Sequence, residues 1–325
     1  MKRQRSSFAP QRQVTAPLAD AYFLSSKNPI MQLLYLVFGE NVQNHFQANF
    51  SILTFLRQGP KFFKRIVVVT DAPAFYQHLR GVITVLPIDA ATLQDWQGAY
   101  KFFWRAKIKA LEFVGQQHPD APLLYLDTDT LLHGSLAGLN QLLTAGTALM
   151  HEAEGCLAAL TSKTDRRMWQ QVQGRSFGGV TITRQHQMWN AGVVAIPAQR
   201  RQEAIGRALA ICDAMSAQQV TPRLIEQFAL SVALSETYPM QEARPYIGHY
   251  WSTKKEWNES IGTFLVESHL KQRNVAADIA ALDTFDFQLN PVKKKIPNTR
   301  HRLNRLVGKL LPARDVEFIT PEPPQ

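Results

Sequence analysis

A chain of 325 residues, 45% hydrophobic and 19% charged, has the composition of a folded protein rather than a disordered one, and it can bury one large core or two small ones. No stretch approaches the ~20 apolar residues of a membrane span, and the basic start Met1–Ser7 has no apolar run behind it, so neither a span nor a secretory signal is expected. The net charge of +10 is concentrated at the two ends, where residues 1–30 carry five basic groups against one acidic and residues 291–325 eight against three. This distribution argues against a nucleic-acid-binding domain, which would carry its basic stripe on the folded body.

Residues 1–28 mix Arg, Gln, Ser and Pro without periodicity and read as a flexible basic arm. Leu33–Phe38 is the first strand-like run, closed by Gly39-Glu40-Asn41. Phe46, Phe50, Leu53 and Leu56 then predict one buried helix face as far as about Gln58. Arg65–Asp71 and Val82–Ile88 are further buried strands. Trp104 to Gln117 is helical in pattern and is stopped by His118-Pro119. Leu123–Leu126 runs straight into Asp127. Strands alternating with helices at this spacing predict an α/β domain over residues 29–290, a mostly parallel sheet covered by helices on both faces. Cys156 and Cys212 are too few for a disulfide framework and fit a reducing cytoplasm.

In open parallel sheets ligands bind beyond the carboxyl ends of the strands, so the residues after each apolar run come first. Asp127-Thr128-Asp129 follows a buried strand. If the chain stays extended there, both carboxylates address one site, and two hard oxygen donors suit Mn²⁺ or Mg²⁺ on a diphosphate. An EF-hand is excluded, because Leu131 and Leu132 fall where that loop needs an oxygen ligand and a glycine. Asn190-Ala191-Gly192 precedes the buried run Val193–Ile196; Gly192 admits a close backbone approach and Asn190 offers a donor and an acceptor to sugar hydroxyls. Glu226-Gln227 stands early in a helix after Thr221-Pro222. His249 is followed by Ser252, Lys254, Lys255 and Trp257; an imidazole can complete a Mn²⁺ site and an ammonium can hold phosphate.

The ordered set Arg105-x-Lys107, Tyr-Leu-Asp127-x-Asp129, Asn190-Ala-Gly192-Val and His249-(x)5-Lys255-x-Trp257 resembles the GT-A fold glycosyltransferases. It is most similar to the retaining group that includes glycogenin and the lipopolysaccharide galactosyltransferases, family 8. The resemblance implies transfer from a nucleoside diphosphate sugar, a UDP-sugar by analogy, to an acceptor hydroxyl, with Asp127, Asp129 and His249 as metal ligands. It implies a donor site of Phe38, Gly39, Asn41, Arg105, Lys107, Thr128, Asn190, Ala191, Gly192, Ser252 and Lys255. It gives catalytic roles to Glu226, Gln227 and Lys255, and acceptor or sugar contacts to His151, Glu152 and Trp257. The chain departs from the pattern at Ser252, Glu256 and Glu226, and the first strand lacks the usual alanine-aspartate pair.

A rival reading is a haloacid-dehalogenase-like phosphatase with Asp127 as nucleophile, for which Asp278 and Asp283 are the only loose match to the later acidic pair; another is a membrane-associated scaffold without activity. After residue 290 comes a basic tail, 291–325. Leu303, Leu306, Val307, Leu310 and Leu311 recur on one helix face, with Arg300, Arg302, Arg305 and Lys309 largely off it. The expected partners are the sugar donor, a sugar or glycolipid acceptor, and an anionic membrane surface met through residues 293–311, placing the enzyme on the cytoplasmic face; no nucleic acid is expected.

Overall fold

The computed structural model describes residues 31–295 and 314–321, so the expected basic arm and the expected amphipathic helix at 300–311 lie outside the described residues. The strands in chain order are β1 (Met31–Val37), β2 (Phe63–Thr70), β3 (Thr84–Pro87), β4 (Leu123–Leu126), β5 (Thr130–Leu132), β6 (Ala148–Met150), β7 (Ala153–Cys156), β8 (Ser176–Phe177), β9 (Val180–Thr181), β10 (Gln187–Trp189), β11 (Val193–Ile196), β12 (Met240–Glu242), β13 (Ile247–His249), β14 (Lys293–Lys295) and β15 (Arg314–Glu317). The helices are α1 (Val42–Arg57), α2 (Ala90–Trp96), α3 (Arg105–Gln117), α4 (Leu136–Thr144), α5 (Lys163–Val172), α6 (Arg201–Ala217), α7 (Ile225–Ser235), α8 (Lys254–Leu270) and α9 (Val275–Ala281).

Seven strands form one sheet in the order β12, β6, β11, β4, β1, β2, β3. β4, β1, β2 and β3 run parallel, β12 is parallel to β6, and β11 alone runs against its neighbours β4 and β6. The mostly parallel sheet expected from the alternation of elements is present. Its central strands β4 and β11 are unbroken apolar runs buried on both faces, whereas the edge strands β3 and β12 are only partly covered. Leu34, Leu36, Val67, Val69, Tyr125 and Val194 pack on the side of α3, α6 and α7. Leu33, Tyr35, Val68, Leu124, Leu126 and Val193 pack on the side of α1 and α8. The period of two along each strand divides the core into these halves.

Beyond Leu126 the chain does not stay extended. It turns at Thr128-Asp129, held where the Thr130 hydroxyl donates to the Asp127 carbonyl (2.8 Å) and the Asp127 amide to the Gly192 carbonyl (2.8 Å). β5 then leaves the sheet and pairs antiparallel with β13, placing His249 opposite Thr130. A turn and a remote strand, rather than one strand face, bring the acidic pair to its site.

The residues just after 290 and those at 314–321 lie on the domain. β14 pairs with β15, Val292 and Ile319 are buried, and the Pro291 carbonyl accepts from Thr253 Oγ1 (2.7 Å) and Trp257 Nε1 (3.0 Å). Among the described residues no helix is long and apolar enough to cross a membrane.

Candidate functional site

The carboxyl ends of β1 and β4 open into a cleft. Phe38, Asn44, Phe103, Trp104, Lys107, Asp127, Thr128, Asp129 and Lys254 line it. One carboxylate oxygen from each of Asp127 and Asp129 and one ring nitrogen of His249 lie within 4.8 Å of one another. Two carboxylates and an imidazole form a donor set for Mn²⁺ or Mg²⁺. Asp129 is 2% exposed. Its Oδ2 lies 3.3 Å from His249 Nε2 and 3.0 Å from Lys254 Nζ, both ion-pair contacts without hydrogen-bond alignment. A buried carboxylate oxygen facing an imidazole nitrogen without a proper hydrogen bond fits a cation ligand.

Each ligand is fixed from behind. His249 Nδ1 lies 3.0 Å from Asn190 Oδ1, which also accepts from the Gly192 amide, so Nδ1 carries the proton and Nε2 is left facing Asp129. The Asn190 amide donates to Glu154 Oε1 (3.1 Å), whose other oxygen accepts from Gln227 Nε2 (3.0 Å). Burial raises the Glu154 pKa against these two hydrogen bonds. Gly192 has a function different from the expected close approach to ligand. A Cβ there would meet His249 Cε1 at 2.1 Å, so glycine makes room for the imidazole.

Lys107 is buried, with Nζ 3.2 Å from Asp127 Oδ1, 3.1 Å from Glu226 Oε1 and 3.1 Å from the Ala191 carbonyl. Burial alone would lower its pKa, but Asp127 and Glu226 outweigh that and raise it, so the ammonium persists. Asp127 also accepts from the Tyr125 hydroxyl (2.8 Å). Burial pushes the Asp129 carboxyl up, yet the positive charge beside it holds it below the usual carboxylate range.

Other residues singled out in the sequence sit elsewhere. Arg105 makes a bidentate bridge to Asp213 (2.6 and 3.0 Å) and donates to the Trp96 carbonyl (3.0 Å), and it does not line the cleft. Asn41 caps α1 through its side chain, and Gly39 faces Asp71 and His45. Glu226 stands behind Lys107, where burial raises its pKa against the pull of that lysine. Ser252 accepts from the Lys294 amide (3.2 Å). Trp257 is wholly buried and stacks on Tyr250 at 5.0 Å, because it begins the inner stripe of α8 continued by Ile261 and Phe264. Lys255 is exposed outside the cleft, whereas Lys254, 47% exposed along its side chain, reaches Asp129.

His151 and Glu152 form a second flank beside His249. The His151 ring meets His249 edge-on at 5.1 Å, and its nitrogens have no hydrogen bond among the described residues. Burial, with the charges of Lys293 and Arg244 and the neighbouring His249, pushes its pKa down to about 2, so it is neutral. Glu152 pairs with Lys293 through both oxygens (2.8 and 2.5 Å). Sequence reasoning named Phe38 but missed Glu154, Asn44, Phe103 and Trp104, and it noted Lys254 while giving the phosphate contact to Lys255; the one available signal for the aromatics was the run Tyr100, Phe102, Phe103, Trp104 just before α3.

No family model matches the chain, and no curated protein matches it. Among solved structures it is similar to the galactosyltransferase LgtC with donor and acceptor sugar analogues (14% identity, TM-score 0.44, 66% of this chain and 74% of that one). It is also similar to the glycosyltransferase GlyE of Streptococcus pneumoniae TIGR4 (14%, 0.39, 76% and 50%) and to mouse xyloside xylosyltransferase 1 (14%, 0.41, 65% and 84%). Similarity this distant decides neither activity nor substrate. The atoms of the site have to do that.

Proposed function

We propose that the chain is a metal-dependent glycosyltransferase of GT-A type, moving a sugar from a nucleoside diphosphate sugar to an acceptor hydroxyl. One observation carries the reading: Asp127, Asp129 and His249 converge within 4.8 Å at a cleft that also holds Lys254. Mn²⁺ or Mg²⁺ held there would supply charge neutralisation to a departing diphosphate. Lys254 stands on Asp129 with half its side chain in solvent, so it can swing onto a phosphate oxygen as a point charge. Lys107 holds Asp127 in place, and Asn190 keeps His249 in the tautomer that presents Nε2. Such preorganised charge is usually the largest catalytic contribution.

Retention of configuration follows the sequence resemblance. Glu226 is tied to Lys107, Glu152 to Lys293 and Glu154 to Asn190 and Gln227, so none of these carboxylates among the described residues stands free as a nucleophile, and a same-face displacement assisted by the leaving phosphate is the step we favour. The phosphatase alternative loses its support: Asp278 is held by Ser268 and Arg273 and Asp283 by Arg57, so neither joins Asp127.

A glycolipid or cell-surface polysaccharide acceptor at the inner membrane face remains part of this proposal. Lys293 and Lys294 are already committed to Glu152 and Glu256, so an anionic surface would have to meet residues 296–311, outside those described. The test of the whole reading is a thermal-shift panel of nucleoside diphosphate sugars with and without Mn²⁺. A ligand at a hundredfold excess over its Kd adds about 2.7 kcal/mol, a readily measured rise in Tm. Stabilisation that requires both Mn²⁺ and a sugar nucleotide is expected; stabilisation by neither, with phosphate released from simple monoesters, would overturn it.

A further inference from the structure

Away from the metal site, the described residues border a second and larger space. It lies between α1, the 3₁₀ turn Pro73–Leu79 and the C-terminal half of α8, and its volume is about 490 Å³ against about 180 Å³ for the cleft at the metal site. The same two helices serve both places and keep them apart. On α1, Asn44 lines the cleft, whereas Phe46 and Asn49 line the cavity. On α8, Ser268 stands fourteen residues beyond Lys254, about 21 Å along the helix.

The cavity has apolar walls, formed by Phe46, Phe75 and Leu265. Phe75 stacks on His45 at 3.9 Å, and His45 is fixed in turn by the Tyr76 hydroxyl (3.0 Å) and the Gly39 carbonyl (2.8 Å), so this wall is held in place from behind. Arg273 is the only Arg, Lys, Asp or Glu of the lining, and it is committed: its Nε faces Asp278 Oδ1 at 3.2 Å, while Ser268 donates to Asp278 Oδ2 (2.7 Å). Burial holds the His78 pKa below its ordinary value against the pull of Asp278, so that imidazole is neutral near pH 7. One buried polar atom of the lining is left over. Asn49, 3% exposed, donates from its amide nitrogen to the His45 (2.8 Å) and Phe75 (3.3 Å) carbonyls, and its Oδ1 has neither a hydrogen bond nor an ion pair among the described residues. A buried acceptor without a partner is costly, and a donor carried in by a ligand removes that cost.

We infer that this cavity binds a small neutral ring compound, phenolic or indolic in class, whose O–H or N–H donates to Asn49 Oδ1 while its rings lie among Phe46, Phe75 and Leu265. Apolar walls with one placed polar group are the usual form of a small-molecule pocket, and the volume is in the range of such pockets. With Arg273 held by Asp278, the lining has no free side-chain ion to pair with a carboxylate or an ammonium. The site is independent of the metal and of the sugar donor, so it stands whether or not the proposed transfer reaction does.

The experiment is calorimetric titration of the full chain with 2-naphthol and with 2-methoxynaphthalene, which keeps the rings and the oxygen but loses the donor. The wild type should bind 2-naphthol saturably at one site and about 2- to 12-fold more tightly than the ether, the range for one net hydrogen bond. Asn49→Leu should bring the two ligands within about twofold of one another. Leu265→Trp, which puts a larger side chain into the cavity, should weaken both at least about tenfold while melting as a folded protein. Absence of saturable binding, equal affinity of the wild type for the two ligands, or unchanged affinity in Leu265→Trp would each overturn the inference. If Asn49→Leu does not fold, the two ligands on the wild type and Leu265→Trp still decide it.

Discussion

The Asp127–Asp129 turn and the His249–Trp257 segment meet at one site but are specified differently. The first is local: a buried strand, β4, delivers two carboxylates, and three residues of sequence identify it. The second arrives through long-range pairing of β13 with β5, and its side chains are then distributed by the rotation of α8. In the second region the phase of α8 decides which side chain reaches the site. Lys254 and Lys255 are adjacent in sequence but about 100° apart on a helix, so only one of them can overhang the site.

The comparison can be broken at the helix. Trp257→Ala should destabilise the protein by about 3–5 kcal/mol, the cost of emptying a buried aromatic site, and Trp257→Phe by much less, as read from denaturant melts. If Trp257→Ala instead left stability intact and changed only acceptor KM, the tryptophan would face a sugar and the described register of α8 would be wrong. Next in size, Lys254→Ala should lower kcat by roughly 10²–10³-fold, as for removal of one preorganised charge, while Lys255→Ala stays within about twofold. Equal effects, or the reverse order, would return the phosphate contact to Lys255.

A smaller effect sharpens how the remote segment is aimed. Asn190→Leu removes the acceptor that fixes the His249 tautomer, and Mn²⁺ affinity should fall about 10–100-fold, the usual range for a residue that orients a metal ligand. Some loss of stability accompanies it, because Asn190 is buried and also serves the Gly192 amide and Glu154, so Mn²⁺ affinity is read well below the variant's melting temperature. Unchanged Mn²⁺ affinity would mean that Asn190 does not orient the histidine.

These differences explain how much could be read from the chain. The parallel sheet was legible because Leu33–Val37, Ile66–Val69 and Leu123–Leu126 are unbroken apolar runs between helical patterns, as burial on both faces requires. The acidic pair was legible because it ends such a run. The resemblance set Arg105 beside the donor, whereas Asp213, 108 residues later, takes it through a contact no local pattern announces. Gly192 was noted as a point of close approach, but that it accommodates His249 could not be known before β5 and β13 were paired. Lys254, Lys255 and Trp257 needed the phase of α8, and aromatic and basic residues at a helix start do not by themselves reveal which side faces inward.

The most direct test of the central claim is a Mn²⁺ titration followed by electron paramagnetic resonance, on the wild type and on Asp129→Asn, each with and without UDP. The side chain keeps its shape in the variant and loses one negative charge. The wild type should bind one Mn²⁺, and UDP should tighten that binding by the same factor by which Mn²⁺ tightens UDP, since coupling between two ligands is reciprocal. Asp129→Asn should lose both effects while melting as a folded protein. Equal Mn²⁺ binding by the two proteins, or Mn²⁺ binding indifferent to UDP in the wild type, would contradict a metal site at Asp127, Asp129 and His249 built to receive a diphosphate.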